Sequence, residues 1–346
     1  MKVLRRTAQG VVAALLATGL ASCGASDSSG SKSTSGEKTI GLVQIDLSNP
    51  FHVGEVQGAK AAAAAHNFKL EVRSGDGDVQ KQVRAFESLV TEKVDAIAVN
   101  AIDIKAFGPA LAKAKQAGIP VVSLHSATPL AQTVLGFSER ATGAAVGDQA
   151  VALLKARYGE PKGEVAILQG LLGQGLNSDR TGGFVDAVKK YPNIKIVAKE
   201  PTGWDPQKAS QITENLLTAY PDLDMIYGLS DSLTIPASTV IKRKGMQKQV
   251  LVVSVDGTKE GIAGVKDGSL SSTFLYDPQY SGYWKAWTPW KLAVGQDVPT
   301  KVDMSGVLVT TDNVDAVDKL VTDASTDMKN FPFEKPLPDI YKKYVG

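Results

Sequence analysis

The sequence predicts an α/β chain built on two doubly wound parallel sheets. Three observations carry that prediction. Short β-branched runs alternate with longer stretches at helical spacing, the alternation starts a second time past the middle of the chain, and breakers stand at the joints, as at Gly118 before Ile119-Pro120. In the first series, strands are expected at Thr39–Ile45, Lys69–Arg73, Asp95–Asn100, Ile119–Leu124 and Val134–Phe137. Helices are expected between them at Val53–His66, Val79–Glu92 and Ala106–Ala117, and a further helix near Ala141–Arg157 leads into the second series. That series reads as strands at Glu164–Gln169, Ile194–Lys199, Met225–Tyr227 and Val250–Val255, with helices at Gly182–Tyr191, Pro206–Tyr220, Leu233–Lys244 and Lys259–Asp267. Late strands at Ser271–Leu275 and Gly306–Val309, with a helix at Tyr280–Ala293 between them, imply that the chain crosses back between domains near its end. The expected division is one lobe from 39–138 plus 277–305 and another from 139–276 plus 306–346, joined by a hinge of three segments.

The start of the chain is of another kind. Residues 1–22 open with Lys2, Arg5 and Arg6, run through an apolar segment from Val11 to Leu20, and end in Leu20-Ala21-Ser22 directly before Cys23. That order reads as a secretory signal, with an apolar run too short to stay as a membrane-spanning helix. The small residues before the cysteine resemble the lipobox of bacterial lipoproteins, which implies that Cys23 becomes the lipidated first residue of a chain tethered outside the cell. The alternative is a signal peptide cut nearby with Cys23 left as a free thiol; Cys23 is the only cysteine, so nothing else in the chain pairs with it. Residues 23–38 are rich in Ser, Gly and other small polar types and read as a flexible tether.

Loss of residues 1–22 would remove three basic and no acidic residues, taking Lys and Arg from 38 to 35 against 36 acidic residues and the formal charge from +2 to −1. Nucleic acid is thereby an unexpected partner. About 320 residues suffice for two domains whose stability comes from buried apolar area, with no disulfide within the chain.

In open α/β sheets the ligand crevice lies beyond the carboxyl ends of the strands. Those positions hold Asp46–Phe51, His125 and Ser126, the loop Gly170–Arg180, Trp204 and Asp205, Ser230 and Asp231, and Asp256. Carboxylates and Asn pair with hydroxyls, Arg donates through a fixed fork, and aromatic faces cover C–H surface, so the set suits a polyhydroxylated small molecule.

The segments QIDLSNPF (Gln44–Phe51), LQG (Leu168–Gly170), SDRTGGF (Ser178–Phe184), NLLTAYPDLDMIYGLSD (Asn215–Asp231) and VVSVDGT (Val252–Thr258) resemble ribose-type periplasmic sugar-binding proteins of bacterial ABC importers, in order and with similar spacing from Thr39 to about Val309. The resemblance implies the type I periplasmic binding protein fold: two Rossmann-like lobes, three crossing segments and a sugar enclosed on hinge closure. It further implies that Asn49 bonds a hydroxyl, that Phe51 stacks on the sugar ring, and that His52 stands where ribose binders have a second aromatic. Arg180 then matches an arginine gripping ring and hydroxyl oxygens, Trp204 a stacking aromatic, Asp256 a carboxylate after its strand, and Tyr276 a polar hinge residue. His125-Ser126 stands in place of an Asp-Arg pair, and Ser230 in place of an Asn. Two charges that would clamp ribose are missing, so another pentose, a hexose or a sugar alcohol is the expected ligand.

Each residue also has a plain structural reading. Asn49-Pro50 suits a turn and Phe51 a hydrophobic staple; His125 suits a strand edge, and Arg180 the first turn of a helix, where it would oppose the macrodipole. Asp205 suits a cap with Trp204 packing beside it, Asp231 an N-cap beside a structural Ser230, and Asp256-Gly257 a turn. Trp284, Trp287 and Trp290 at helical spacing read as packing, His66 as a helix end, and Asp76-Gly77-Asp78 as a turn. Gly170–Gly175 lacks dinucleotide-loop spacing, and His52, His66 and His125 form no metal motif, so neither cofactor nor metal is expected. The expected partners are a monosaccharide or polyol and an ABC permease with its ATPase, the protein being a monomer held to the membrane only by its lipid. The alternatives are a sugar-transforming enzyme with His125 as base and Asp256 as acid, and a sensor docking to a chemoreceptor or kinase. The tail from Asp312, with Pro332, Pro336 and Pro338, reads as an extended strap over one lobe.

Overall fold

The computed structural model describes residues 36–345, so the secretory signal, Cys23 and most of the expected tether lie outside the described residues. The first series of elements is β1 (Thr39–Gln44), α1 (Pro50–His66), β2 (Lys69–Ser74), α2 (Val79–Thr91), β3 (Ala96–Val99), a 3₁₀ turn at Ile104–Phe107, α3 (Gly108–Gln116), β4 (Val121–Leu124) and β5 (Thr133–Phe137). The second is α4 (Glu139–Tyr158), β6 (Gly163–Gln169), α5 (Gly175–Val188), β7 (Ile194–Pro201), α6 (Pro206–Ala219), β8 (Met225–Gly228), α7 (Asp231–Arg243), β9 (Leu251–Val253), α8 (Lys259–Asp267) and β10 (Thr273–Leu275). The chain then adds α9 (Pro278–Ala293), β11 (Lys301–Met304), β12 (Val307–Val309), α10 (Val314–Thr326) and α11 (Leu337–Tyr341).

Two sheets result. The first is parallel throughout, in the order β2-β1-β3-β4-β5-β11, and the second is parallel in the order β7-β6-β8-β9. Parallel bridges Val253↔Ser272 and Asp256↔Leu275 carry the second sheet on to β10, which pairs antiparallel with β12. The strand order reverses beside β1 in the first sheet and beside β6 in the second, so each has a crevice at its carboxyl edge. Three segments pass between the sheets: Ser138 between β5 and α4, Tyr276-Asp277 between β10 and α9, and Ser305-Gly306 between β11 and β12. The central strands are buried on both faces, β3 and β4 entirely, because helices cover each side.

Polar residues at the strand ends start the helices. Asn49, Asp78, Asp205, Ser230, Thr258 and Asp277 each accept a backbone N–H from the helix they precede. Asp76–Asp78 is accordingly a turn ending in the cap of α2, whose Oδ1 accepts from Lys81 N at 2.7 Å.

The structure differs from expectation in three places. Helix α5 begins at Gly175 and not at Gly182, so Arg180 lies in its second turn and not in a loop or a first turn. The run Gly175-Leu176-Asn177-Ser178 has weak helix propensity, but close packing of α5 on α4 overrides it. The edge strand β11 has no β-branched run to announce it, being half-exposed Lys-Val-Asp-Met paired with β5. The tail is not a strap over one lobe. It contains the amphipathic α10, packed on α8 beside the second sheet, and then buries Phe331, Phe333, Leu337 and Ile340. Phe333 stacks on Tyr283 of α9 with ring centroids 4.9 Å apart, and its carbonyl accepts from Trp284 Nε1 at 2.7 Å. Since α9 packs along α1, the tail touches helices associated with both sheets. The tryptophans of α9 do pack, but against the end of α1 and the tail: His66 stacks with both Trp287 and Trp290, and its Nε2 lies 2.8 Å from Tyr283 Oη.

Candidate functional site

The carboxyl ends of the two sheets enclose a cavity of about 140 Å³ lined by residues from both. From the first sheet come Asp46, Asn49, Phe51 and His52 after β1, Asn100 after β3, and His125 and Ser126 after β4. From the second come Gln174 and Arg180 after β6, Trp204 after β7, Ser230 after β8 and Asp256 after β9, while Phe137 and Tyr276 line it near the crossings and Lys285 lines it from α9. Ten of the eleven cleft residues expected from sequence therefore line one space. The exception is Asp231.

Asp231 is fully buried behind the cavity wall. Its Oδ1 accepts from Ser254 Oγ (2.6 Å) and Thr273 Oγ1 (2.8 Å), and its Oδ2 accepts from Thr258 N (2.8 Å) and Thr258 Oγ1 (3.0 Å). Burial raises its pKa. With every acceptor direction in use, it ties β9, β10 and α8 to the start of α7 and leaves nothing for a ligand. Its expected ligand role is corrected to a structural one.

On the first-sheet wall, Asn49 caps α1 and lines the cavity. Its Oδ1 accepts from Phe51 N at 2.9 Å as the helix cap, which leaves the Nδ2 amide as donor on the cavity side. Asp46 Oδ1 accepts from Ser48 N and Asn49 N, and its Oδ2 lies 3.3 Å from His52 Nδ1. The His52 imidazole beside it, with the Asn49 N–H and Ser48, holds the Asp46 carboxyl well below the usual range.

The second-sheet wall is organised around Arg180. Its Nε donates to Glu139 Oε2 at 2.6 Å, and its Nη1 donates to the Leu229 carbonyl at 2.6 Å and to Asp256 Oδ1 at 3.2 Å. Ser230 Oγ donates to Asp256 Oδ2 at 2.6 Å, and Tyr276 Oη donates to the same Glu139 Oε2 at 2.7 Å. The guanidinium also sits 5.1 Å from the Tyr276 ring centroid, and Phe137 stacks on the other side of that pair at 3.8 Å from Tyr276. Burial alone would raise the Glu139 carboxyl, but Arg180 and His125 outweigh it and bring it down to about 2. Asp256 goes the other way: burial, with Asp231 nearby, lifts it above the usual carboxylate range despite Arg180. His125 Nδ1 and Glu139 Oε1 face each other at 3.4 Å, long for a hydrogen bond, and neither atom has another hydrogen-bond partner.

Backbone strain concentrates here. His125 (φ 62°), Trp204 (φ 67°) and Asp256 (φ 112°) are non-glycine residues at positive φ, and all three line the cavity. Each such residue costs on the order of 1–3 kcal/mol and persists only where its surroundings over-determine it. Trp204 shows how: its Nε1 donates to Gln174 Oε1 at 2.7 Å, and its ring lies on the Gly170 backbone, where an added Cβ would come within 2.0 Å of the indole. The glycine after β6 thus makes room for the Trp204 ring.

Residues 40–297 match the model of the periplasmic binding protein domain. The chain belongs to the periplasmic binding protein family. This binding protein is 31% identical to a xylitol-binding protein of Mycolicibacterium smegmatis over 307 residues, covering 88% of this chain and 86% of the relative. It is 31% identical to a ribose import binding protein of Bacillus subtilis over 254 residues, covering 72% and 81%. Among solved structures, an ABC transporter solute-binding protein of Mycobacterium smegmatis with bound glycerol superposes with a TM-score of 0.76 at 32% identity, covering 81% of this chain and 96% of that one. A solute-binding protein of Actinobacillus succinogenes with bound D-allose does so at 0.74 and 29%, covering 81% and 99%. The family is one of solute-binding proteins and not of enzymes.

Three charged residues in or behind this periplasmic binding protein's cleft escape sequence reasoning. Glu139 lies at the first crossing, Glu55 is in the second turn of α1, and Lys285 is in the middle of α9. Only Glu139 stands next to a strand end, so a list of strand-end residues passes over the other two. The one available signal is a charged residue on an otherwise buried helical face, as at Lys285 within Gly282–Ala286. Among the described residues no cluster of three or more His, Cys, Asp or Glu is arranged to hold a metal ion, and no helix is long and apolar enough to cross a membrane.

Proposed function

We propose that this protein captures an uncharged sugar or sugar alcohol in the cleft between its two sheets and delivers it to an ABC permease with its cytoplasmic ATPase, working outside the cytoplasm and anchored through Cys23. The observation that carries the reading is the convergence of polar and aromatic residues from seven separate strand ends on one small cavity. A space near 140 Å³ suits a molecule about the size of a six-membered ring, since a cavity of about 150 Å³ is known to hold benzene. The names of the relatives, xylitol-binding and ribose-binding among them, point to the same class. Arg180 is engaged by Glu139 and Asp256, so its remaining donors suit neutral hydroxyls better than an anion.

With lobes taken as 39–138 plus 277–305 and 139–276 plus 306–346, the open form presents Asn49, Phe51, His52, His125 and Ser126 on one lobe. The other presents Arg180, Trp204, Ser230, Asp256 and Tyr276. A ligand bridging both stabilises the closed form by its differential affinity, and the permease reads that form. The test is a thermal-shift screen, confirmed by calorimetry, against pentoses, hexoses and linear or cyclic polyols, with mass analysis of any hit. A ligand at a hundred times its Kd raises stability by about 2.7 kcal/mol. A hit with unchanged mass supports capture; chemical conversion, or no shift with any member of the panel, overturns it.

A further inference from the structure

Lys285 and Glu55 form an ion pair with side chains only 1% and 0% exposed, and both residues line the cleft cavity. The pair joins α9 to α1 where the helices approach most closely: an added Cβ at Gly282 would meet the Glu55 carbonyl at 1.8 Å. Glu55 is saturated. Its Oε1 accepts from Lys285 Nζ and from Ser281 Oγ (2.8 Å), and its Oε2 accepts from Gln44 Nε2 (3.0 Å). Burial would raise its pKa, but Lys285 outweighs that and the carboxyl is lowered.

Lys285 is not saturated. An ammonium has three N–H donors, and Glu55 is the one acceptor it meets among the described residues. A buried ammonium with unmade hydrogen bonds is costly, and a helix clamp alone does not call for one, because apolar pairs of similar volume hold buried positions as well or better. Lys285 lines the cavity together with Asn100 and Arg180, so an acceptor placed there is open to its two remaining donors.

We propose that Lys285 is a ligand-contacting residue that donates to a hydroxyl oxygen of an uncharged polyol or sugar, and that Glu55 is the positioning residue that holds its ammonium at the wall. This rests on the capture reading above. The charge balance selects a neutral acceptor. Every carboxylate at or against the cavity already faces a basic group of the protein, Asp46 beside His52, Glu55 on Lys285, and Glu139 and Asp256 on Arg180, so no cation among the described residues there is left over to balance a carboxylate-bearing ligand.

The test compares the purified protein with the pair variant Glu55→Gln/Lys285→Met, which removes both charges together. Gln44 has a buried Oε1 without a partner, so a turned Gln44 amide can accept from the new Gln Nε2. Calorimetric titrations use xylitol, its monodeoxy series and xylonate. Removal of one particular hydroxyl should weaken binding to the unmodified protein about 10- to 100-fold, the scale of a hydrogen bond to a charged donor. The pair variant should bind xylitol as weakly as the unmodified protein binds that deoxy analogue, should be indifferent to the same deletion, and xylonate should bind neither protein. A folded variant with unchanged xylitol affinity overturns the inference. If the variant does not fold, a crystal structure of the unmodified protein with xylitol decides: Lys285 Nζ within hydrogen-bond reach of a ligand oxygen upholds it, and a ligand out of reach overturns it. Failure of every neutral polyol and sugar to bind the unmodified protein is a different result, which overturns the capture reading itself.

Discussion

Glu139→Gln isolates the charge that organises the second-sheet wall. Glu139 accepts from Arg180 Nε and Tyr276 Oη and faces His125, with 5% of its side chain exposed. Its folded pKa of about 2 against an ordinary 4.5 corresponds to about 3 kcal/mol of stabilisation at neutral pH, at about 1.4 kcal/mol per unit. Removing one partner of a buried ion pair independently suggests about 3–5 kcal/mol. The sign is that of a depressed acid: the contribution is fully present above pH 4.5 and is lost as the pH falls toward 2. Urea unfolding of both proteins at pH 7 and at about pH 3 reads the difference. A gap of about 3 kcal/mol at pH 7 that shrinks at the lower pH is expected. A gap independent of pH would show that Glu139 is not held ionised by Arg180, and the account of this wall would fall.

Three further outcomes follow from the geometry. Gly170→Ala should displace the Trp204 ring, costing about 1–3 kcal/mol of stability and at least about tenfold in ligand affinity, both measurable by thermal unfolding and calorimetry. Asp231→Ala should destabilise by about 2–4 kcal/mol, because four hydrogen bonds lose their acceptor, yet leave the folded protein's affinity within about twofold; a large affinity loss at unchanged stability would return Asp231 to the ligand. Phe333→Ala should cost about 3–5 kcal/mol in denaturant unfolding through the cavity left against Tyr283, and a change within error would mean that the tail is not part of the core.

The expected strands reappear because a strand buried on both faces must be a short apolar run, and runs such as Ile97–Val99 and Val165–Leu168 admit no other reading beside helical stretches of 10–20 residues. The cap at Asp205 was legible for a related reason, since it sits within a few residues of a strand end, whereas the cap of α7 is Ser230 and not Asp231. The misplaced start of α5 and the unannounced α10 mark the boundary of that logic. Weak local propensity in Gly175–Ser178 is overruled by packing on α4, and the apolar stripe of α10 has meaning only once α8 is there to cover it.

By itself, then, the sequence determined what depends on local chemistry: the alternation of strand and helix, their parallel winding, and the polar residues that end each strand. Tertiary structure alone decided which of those residues share a cavity. Asp231 and Asp256 follow adjacent strands and look alike in sequence, but one is enclosed by Ser254, Thr258 and Thr273 while the other faces Arg180 and the cleft. Glu55 and Lys285 are 230 positions apart, and no local pattern links them. The physical reason is that a charge's role is set by the groups within a few ångströms of it, and those neighbours come from elements that only the folded crossings bring together.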